Sequence, residues 1–197
     1  MPTKRLEDQI RFILEIDKEK NILRQTHISG FARQENDAEH AWHMATMVYL
    51  LKEYANEGFD VAKAMMMALI HDVVEIDAGD AYAYDPQALA TQKEKEERAA
   101  ERIFGLLPDD QRDELRALFE EFEKGETAEA KFVKAMDNFQ PLLLNDYNDG
   151  GDWREHGVCK TQVTGRQQRT KPGSQEIWEY TKTLIEKNVQ KGNIKDE

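Results

Sequence analysis

The chain has 197 residues and a formal net charge of -12, from 39 acidic and 27 basic side chains. That length suits one domain with one sizeable core. The acidic balance argues against a nucleic-acid phosphate surface or an anionic membrane as partner, and an anionic substrate would need local positive charge. The single cysteine, Cys159, rules out an internal disulfide, and the N-terminus lacks the apolar core of a signal peptide. The longest apolar run, Ala64 to Ile70, is too short to span a bilayer, so a cytoplasmic protein is expected.

The pattern is helical throughout, with no sustained period-two alternation. A first helix is expected over Leu6 to Lys20, with Leu6, Ile10, Ile13 and Leu14 on one apolar stripe. A loop, Gln25 to Glu35, follows, with Arg24 and Arg33 at or near its ends. Asn36 with Glu39 three residues on reads as a capping box that opens a second helix, and Gly58 as its stop. A third helix starts after Asp60 and fades near Asp77 to Gly79. Asp85-Pro86 and Leu107-Pro108 open two more, which end at Gly105 and Gly125. Thr127 caps a sixth, which runs to the turn at Asn148 to Asp152 and carries Pro141, where a kink is expected. A last helix covers Ser174 to Gln190. The charged run Gln92 to Arg102 reads as a solvated face.

Three of these helices place polar residues on otherwise apolar stripes. His40 heads a stripe with Met44, Met47, Leu51 and Tyr54. His71 follows Val61, Ala64 and Ala68, with Glu75 one turn on, and Asp137 lies among Ala130, Val133, Gln140 and Leu144. A buried histidine and aspartate are costly unless paired, and a metal ion would pair with both. The expectation is one divalent metal ion at His40, His71, Asp72 and Asp137. Bundle cores are a usual place for such sites. Two imidazoles and two carboxylates suit Mn, Fe, Co, Ni or Zn, and Mg completes the candidate set. His43 is assigned a hydrogen-bonding role beside the ligands, and His27 and His156 a place in surface loops. Met65, Met66, Met67, Trp42 and Trp178 are read as packing.

Four blocks carry a family resemblance: IDKEKNILRQT, ENDAEHAWHMA, LIHDVVEIDAGDAYAYD and KAMDNFQPLLLN. Together they resemble the HD-domain metal-dependent phosphohydrolases, in the branch of the bacterial 5'-deoxynucleotidases. The resemblance runs from about Ile16 to Leu144 and more weakly to the C-terminal helix. It implies an all-α fold, an HD-domain bundle of about six to eight helices, forming a homodimer. Residues 1–197 would form a single HD domain, with a C-terminal helical extension from about 150. It also implies metal ligation by His40, His71, Asp72 and Asp137, a glutamate at Glu75 that assists the attacking water, and Asp80 and Arg24 beside the substrate. Gln25 stands where those enzymes carry tryptophan, and the AYAYD stretch departs from theirs, so sugar and base preference do not carry over.

The chemistry can also be argued from the residues. A phosphate monoester is close to a dianion at neutral pH and repels hydroxide. A bound metal offsets that charge, and Glu75 is placed to take or orient the water's proton. Arg24, with Arg33 or Lys134, can bind the remaining phosphoryl oxygens through charged donors. The expected activity is hydrolysis of nucleoside 5'-monophosphates to nucleoside and phosphate. The alternatives are a nucleotide triphosphohydrolase or alarmone hydrolase, then an HD-type di-iron oxygenase, which would need further histidine ligands, or a non-catalytic regulator. The basic segment 157–174 is either a cover over the nucleotide or a surface segment balancing charge.

Overall fold

The computed structural model describes residues 2–79 and 86–196, with side chains from 91 onward in the second stretch. Its helices are α1 (Lys4–Ile16), α2 (Asp37–Leu50), α3 (Val61–Ile70), α4 (Glu75–Ala78), α5 (Pro86–Phe104), α6 (Asp109–Lys124), α7 (Ala128–Tyr147), α8 (Gly151–Glu155), α9 (Lys160–Gln167) and α10 (Gln175–Gln190). The expected caps form. Asn36 and Glu39 exchange side-chain and backbone hydrogen bonds at the start of α2, and Thr127 Oγ1 accepts from the backbone N–H of Ala130. Gly125 closes α6 in the left-handed conformation at φ 66°. The chain is all-α in class, and no helix among the described residues is long and apolar enough to cross a membrane.

Four of the structure's departures from the sequence expectations concern the backbone elements and their packing. First, the expected loop holds a short antiparallel hairpin, β1 (Leu23–His27) and β2 (Gln34–Asn36), turning through Gly30 at φ 86° and Phe31 at φ 60°. Its residues are mostly polar, so no apolar alternation marks it. Hydrogen bonds to α7 and α8 hold it instead: the Asn148 side chain donates to the carbonyls of His27 and Ile28, and Asp152 accepts from the His27 backbone N–H. Second, α1 does not bury its expected stripe. Leu6, Ile10, Ile13 and Leu14 are 46 to 67% exposed, and Phe12 makes the contact instead, stacked on Phe104. Third, α2 stops at Leu50 rather than Gly58, because tertiary contacts take over the backbone. Ser174 Oγ donates to the carbonyl of Tyr54, and the carbonyl of Gly173 accepts from Asn56 N–H. Fourth, the third expected helix is two, α3 and α4, separated by a turn at residues 71–74. α7 runs through Pro141 as one element.

Two apolar clusters form the core. One joins α2, α3, α7 and the C-terminal helices around Met44, Met67, Phe132, Met136 and Ile185. The other joins α1, α5, α6 and the turn after α3 around Phe12, Val73, Phe104 and Phe119. Ala68 belongs to the first and Ile70 to the second, so the His71-Asp72 turn lies at their seam.

Candidate metal centre

Each of the four expected ligands comes from a different backbone setting. His40 sits one turn into α2, fully buried, and Asp137 lies midway along α7. His71 caps the C-terminus of α3, and Asp72 follows it in the turn. The helix break therefore has a local use: it lets two adjacent residues face one point, which a continuous helix would set about 100° apart.

The four converge. His40 Nε2 is 3.2 Å from Asp137 Oδ1 and 3.9 Å from Asp72 Oδ2. His71 Nε2 is 3.1 Å from Asp72 Oδ2 and 3.9 Å from Asp137 Oδ1. One ligand atom from each of His40, His71 and Asp72 lies within 4.8 Å of the others. Both imidazoles are turned the same way. His71 Nδ1 donates to the carbonyl of Ala68 at 2.9 Å, and His40 Nδ1 to Gln140 Oε1 at 3.1 Å. The Gln140 amide can be oriented only so, since its Nε2 donates to Glu35 Oε1 and approaches His43 Nδ1. With Nδ1 the donor in each ring, the neutral imidazole carries its lone pair on Nε2, the atom that faces the carboxylates.

These residues fit a divalent cation. His71 Nε2 is buried without a hydrogen-bond partner, because its approach to Asp72 is out of hydrogen-bond alignment. Without a cation, protons must balance the two carboxylates. Burial opposes a charged His71, yet Asp72 and Asp137 carry its pKa up to about 9. Burial also opposes the charge on Asp72 and Asp137, but His71 beside the first and His40 beside the second hold both well below the usual carboxylate range. A divalent cation would replace those protons on the same atoms.

A layer of charge beneath this quartet joins Arg24, read in the sequence as a substrate contact, to Glu35, Asp37 and Glu19, which the sequence reading did not single out. Arg24 of β1 is 8% exposed and places Nη1 2.8 Å from Asp72 Oδ2 and 3.4 Å from Asp37 Oδ1. Asp37, Asp72 and Glu75 bring oxygens within 4.8 Å of one another. Glu19, in the turn after α1, is buried near Asp72 and Asp37. Burial, with their repulsion, pushes its carboxyl up to about 8. Asp37 looks in sequence like an ordinary first-turn acid.

The other expected site residues are placed as follows. Glu75 opens α4 beside Asp72, within the second carboxylate group. Arg24 is committed to carboxylates rather than standing open at a rim. Arg33 is exposed and forks onto Glu39. Lys134 lies one turn before Asp137, its Nζ 4.0 Å above the Phe122 ring, whose edge meets His71. Asp80 lies outside the described residues. His43 takes the expected role beside the ligands. His27 is not a free loop residue: its Nδ1 is 2.6 Å from Asp152 Oδ1. Trp42 is 66% exposed rather than packed.

The chain is similar to several known proteins. A human protein named 5'-deoxynucleotidase HDDC2 is 35% identical over 118 residues, 59% of this chain and 56% of that protein. Its mouse counterpart is 30% identical over 142 residues, 71% of this chain and 70% of that protein. The chain thus spans little more than half the length of the human relative. A crystal structure from Magnetospirillum magnetotacticum, described as a predicted metal-dependent phosphohydrolase, superposes with a TM-score of 0.92 at 47% identity. It covers 96% of this chain and 95% of its own. A conserved protein of Pyrococcus furiosus superposes with a TM-score of 0.60 at 26% identity. The sequence model of the HD domain matches residues 16–178, a stretch that contains all four converging residues, and by that match the chain belongs to the HD domain family.

Proposed function

We propose that this chain is a metal-dependent phosphohydrolase that converts nucleoside 5'-monophosphates to nucleoside and phosphate, with residues 1–197 acting as one HD domain. One observation carries the reading: two imidazoles held in the ligating orientation meet two carboxylates at 3.1 to 3.9 Å. The names of the human deoxynucleotidase and the bacterial phosphohydrolase supply the reaction class.

His40, His71, Asp72 and Asp137 would hold one divalent ion. When bound, that ion supplies charge to offset the phosphoryl dianion and lowers the pKa of coordinated water. The chain's own residues do the rest. Ala68 and Gln140 fix both imidazoles, so the ligand set is arranged before metal arrives. Arg24 holds Asp72 in place from the opposite side. Glu75 opens α4 next to Asp72, and its carboxylate takes the proton of the attacking water. Asp80, five residues after Glu75 in the sequence, serves beside the substrate, as the family resemblance implies. We assign the working form to a homodimer in the cytoplasm. The remaining described histidines do not suit a second iron, since His27 is tied to Asp152, His43 to Gln140 and His156 to the carbonyl of Asp152.

A panel of nucleoside mono-, di- and triphosphates and a (p)ppGpp-type alarmone, assayed with Mn, Co, Mg and Zn, tests the reading. Inorganic phosphate from monophosphates is the expected product. Triphosphate or pyrophosphate as the product would move the activity to the triphosphohydrolase or alarmone class.

A further inference from the structure

We propose that Arg166 of α9 is the cation that binds the substrate's phosphoryl oxygens on the side of Asp137. This rests on the phosphohydrolase reading above and names a residue that reading leaves open.

The site's charge balance calls for such a group. Glu35, Asp37, Asp72, Glu75 and Asp137 all lie in or beside the cluster, and Arg24 is the arginine that pairs with them. Its guanidinium is buried and engaged by Asp72 and Asp37. A divalent ion offsets two of the negative charges, and a phosphate monoester brings nearly two more. Another cation is needed at the open side of the centre.

Arg166 meets that need. Every other described arginine except Arg169 makes an ion pair or side-chain hydrogen bond. Among the described residues, Arg166 has no such partner, although it is only partly exposed; Arg169 is exposed. A partly buried arginine with no partner among the described residues, in a chain of net charge -12, is poised for an anion. Its placement is fixed by its neighbour. Gln167 is buried and donates Nε2 to the carbonyl of Asn138 at 2.6 Å, which clamps the end of α9 to the turn of α7 that carries Asp137. Arg166 precedes that contact by one residue, so its side chain starts beside the turn that carries Asp137. The rest of the basic segment does not share the position: Lys160 pairs with Glu186 at 2.7 Å, and Lys171 is exposed.

The test compares wild type, Arg166→Ala, Arg166→Lys and Arg169→Ala, all metal-loaded. Two quantities are read: steady-state constants on a nucleoside 5'-monophosphate, and binding of inorganic phosphate by calorimetry. Loss of charged hydrogen bonds predicts roughly a 10- to 100-fold fall in kcat/KM and in phosphate affinity for Arg166→Ala. Arg166→Lys should recover part of it and Arg169→Ala should match wild type. Unchanged kcat/KM and phosphate affinity in Arg166→Ala would overturn the proposal. If wild type itself releases no phosphate, the phosphohydrolase reading fails, and phosphate binding alone still decides whether Arg166 is an anion ligand. If Arg166→Ala does not fold, Arg166→Lys, which keeps the side-chain stem, is read in its place: phosphate affinity and kcat/KM both equal to wild type would overturn the proposal.

Discussion

Replacing Arg24 by alanine probes the charge layer under the metal centre. The guanidinium is 8% exposed and lies against Asp72 at 2.8 Å and Asp37 at 3.4 Å, with Asp37 fully buried. Removing one partner of a buried ion pair costs about 3–5 kcal/mol, because the remaining charge is left without compensation. Arg24 is shared by two carboxylates, and Asp72 keeps the protonated His71 beside it, which places the metal-free variant at about 4 kcal/mol. Metal restores a counter-charge to Asp72 but not to Asp37, so the loss should shrink to about 2 kcal/mol in the loaded protein. The thermodynamic cycle then requires Arg24→Ala to bind the divalent ion more tightly by the difference, about 2 kcal/mol or more. Urea unfolding of both proteins, in chelator and in saturating Mn²⁺, measures all four corners. A metal-free loss below about 1 kcal/mol, or an equal loss with and without metal, would refute the coupling of Arg24 to the ligand Asp72.

Two further outcomes follow from the same geometry. Glu75→Gln should keep fold and metal content but lose turnover by roughly 10²-fold or more, the usual size of an acid-base contribution; near wild-type phosphate release would remove Glu75 from proton transfer. Glu19 is a carboxyl whose pKa is raised on folding, from 4.5 to about 8. Its favourable state is therefore fully present below about pH 4.5 and lost as pH rises through about 8. In chelator, wild type should lose stability relative to Glu19→Gln across that window, and a pH-independent difference in urea midpoints would contradict the assignment.

How far the sequence discloses this molecule depends on what each feature is made of. His40, His71 and Asp137 are legible because each interrupts an apolar helical stripe, and the stripes at Met44, Ala64 and Val133 are buried as their spacing requires. Asp72 is legible as the neighbour of His71, although the helix break that turns it inward carries no proline or glycine to announce it. The charge layer is legible only at Arg24, and there as a substrate contact rather than a partner of Asp72. Arg24, Glu35 and Asp37 sit in or beside a polar hairpin whose shape comes from distant hydrogen bonds to Asn148 and Asp152, and an acid at a helix start is ordinary. The stripe on α1 misleads for a different reason: Leu6, Ile10, Ile13 and Leu14 have the spacing of a core face, but one chain supplies nothing among the described residues to cover it. Arg166 shows the limit of composition. The basic run around it is visible in sequence, but only the partners of its neighbours single out the one partly buried arginine without a partner among the described residues.

The central claim is that the quartet holds a divalent ion. Elemental analysis of purified wild type and of His71→Ala, after equilibration with Mn²⁺ and removal of excess, tests it most directly. The expected result is about one metal ion per chain in wild type and a large loss in the variant, since one of four ligands is gone. Equal metal content in the two proteins would contradict it.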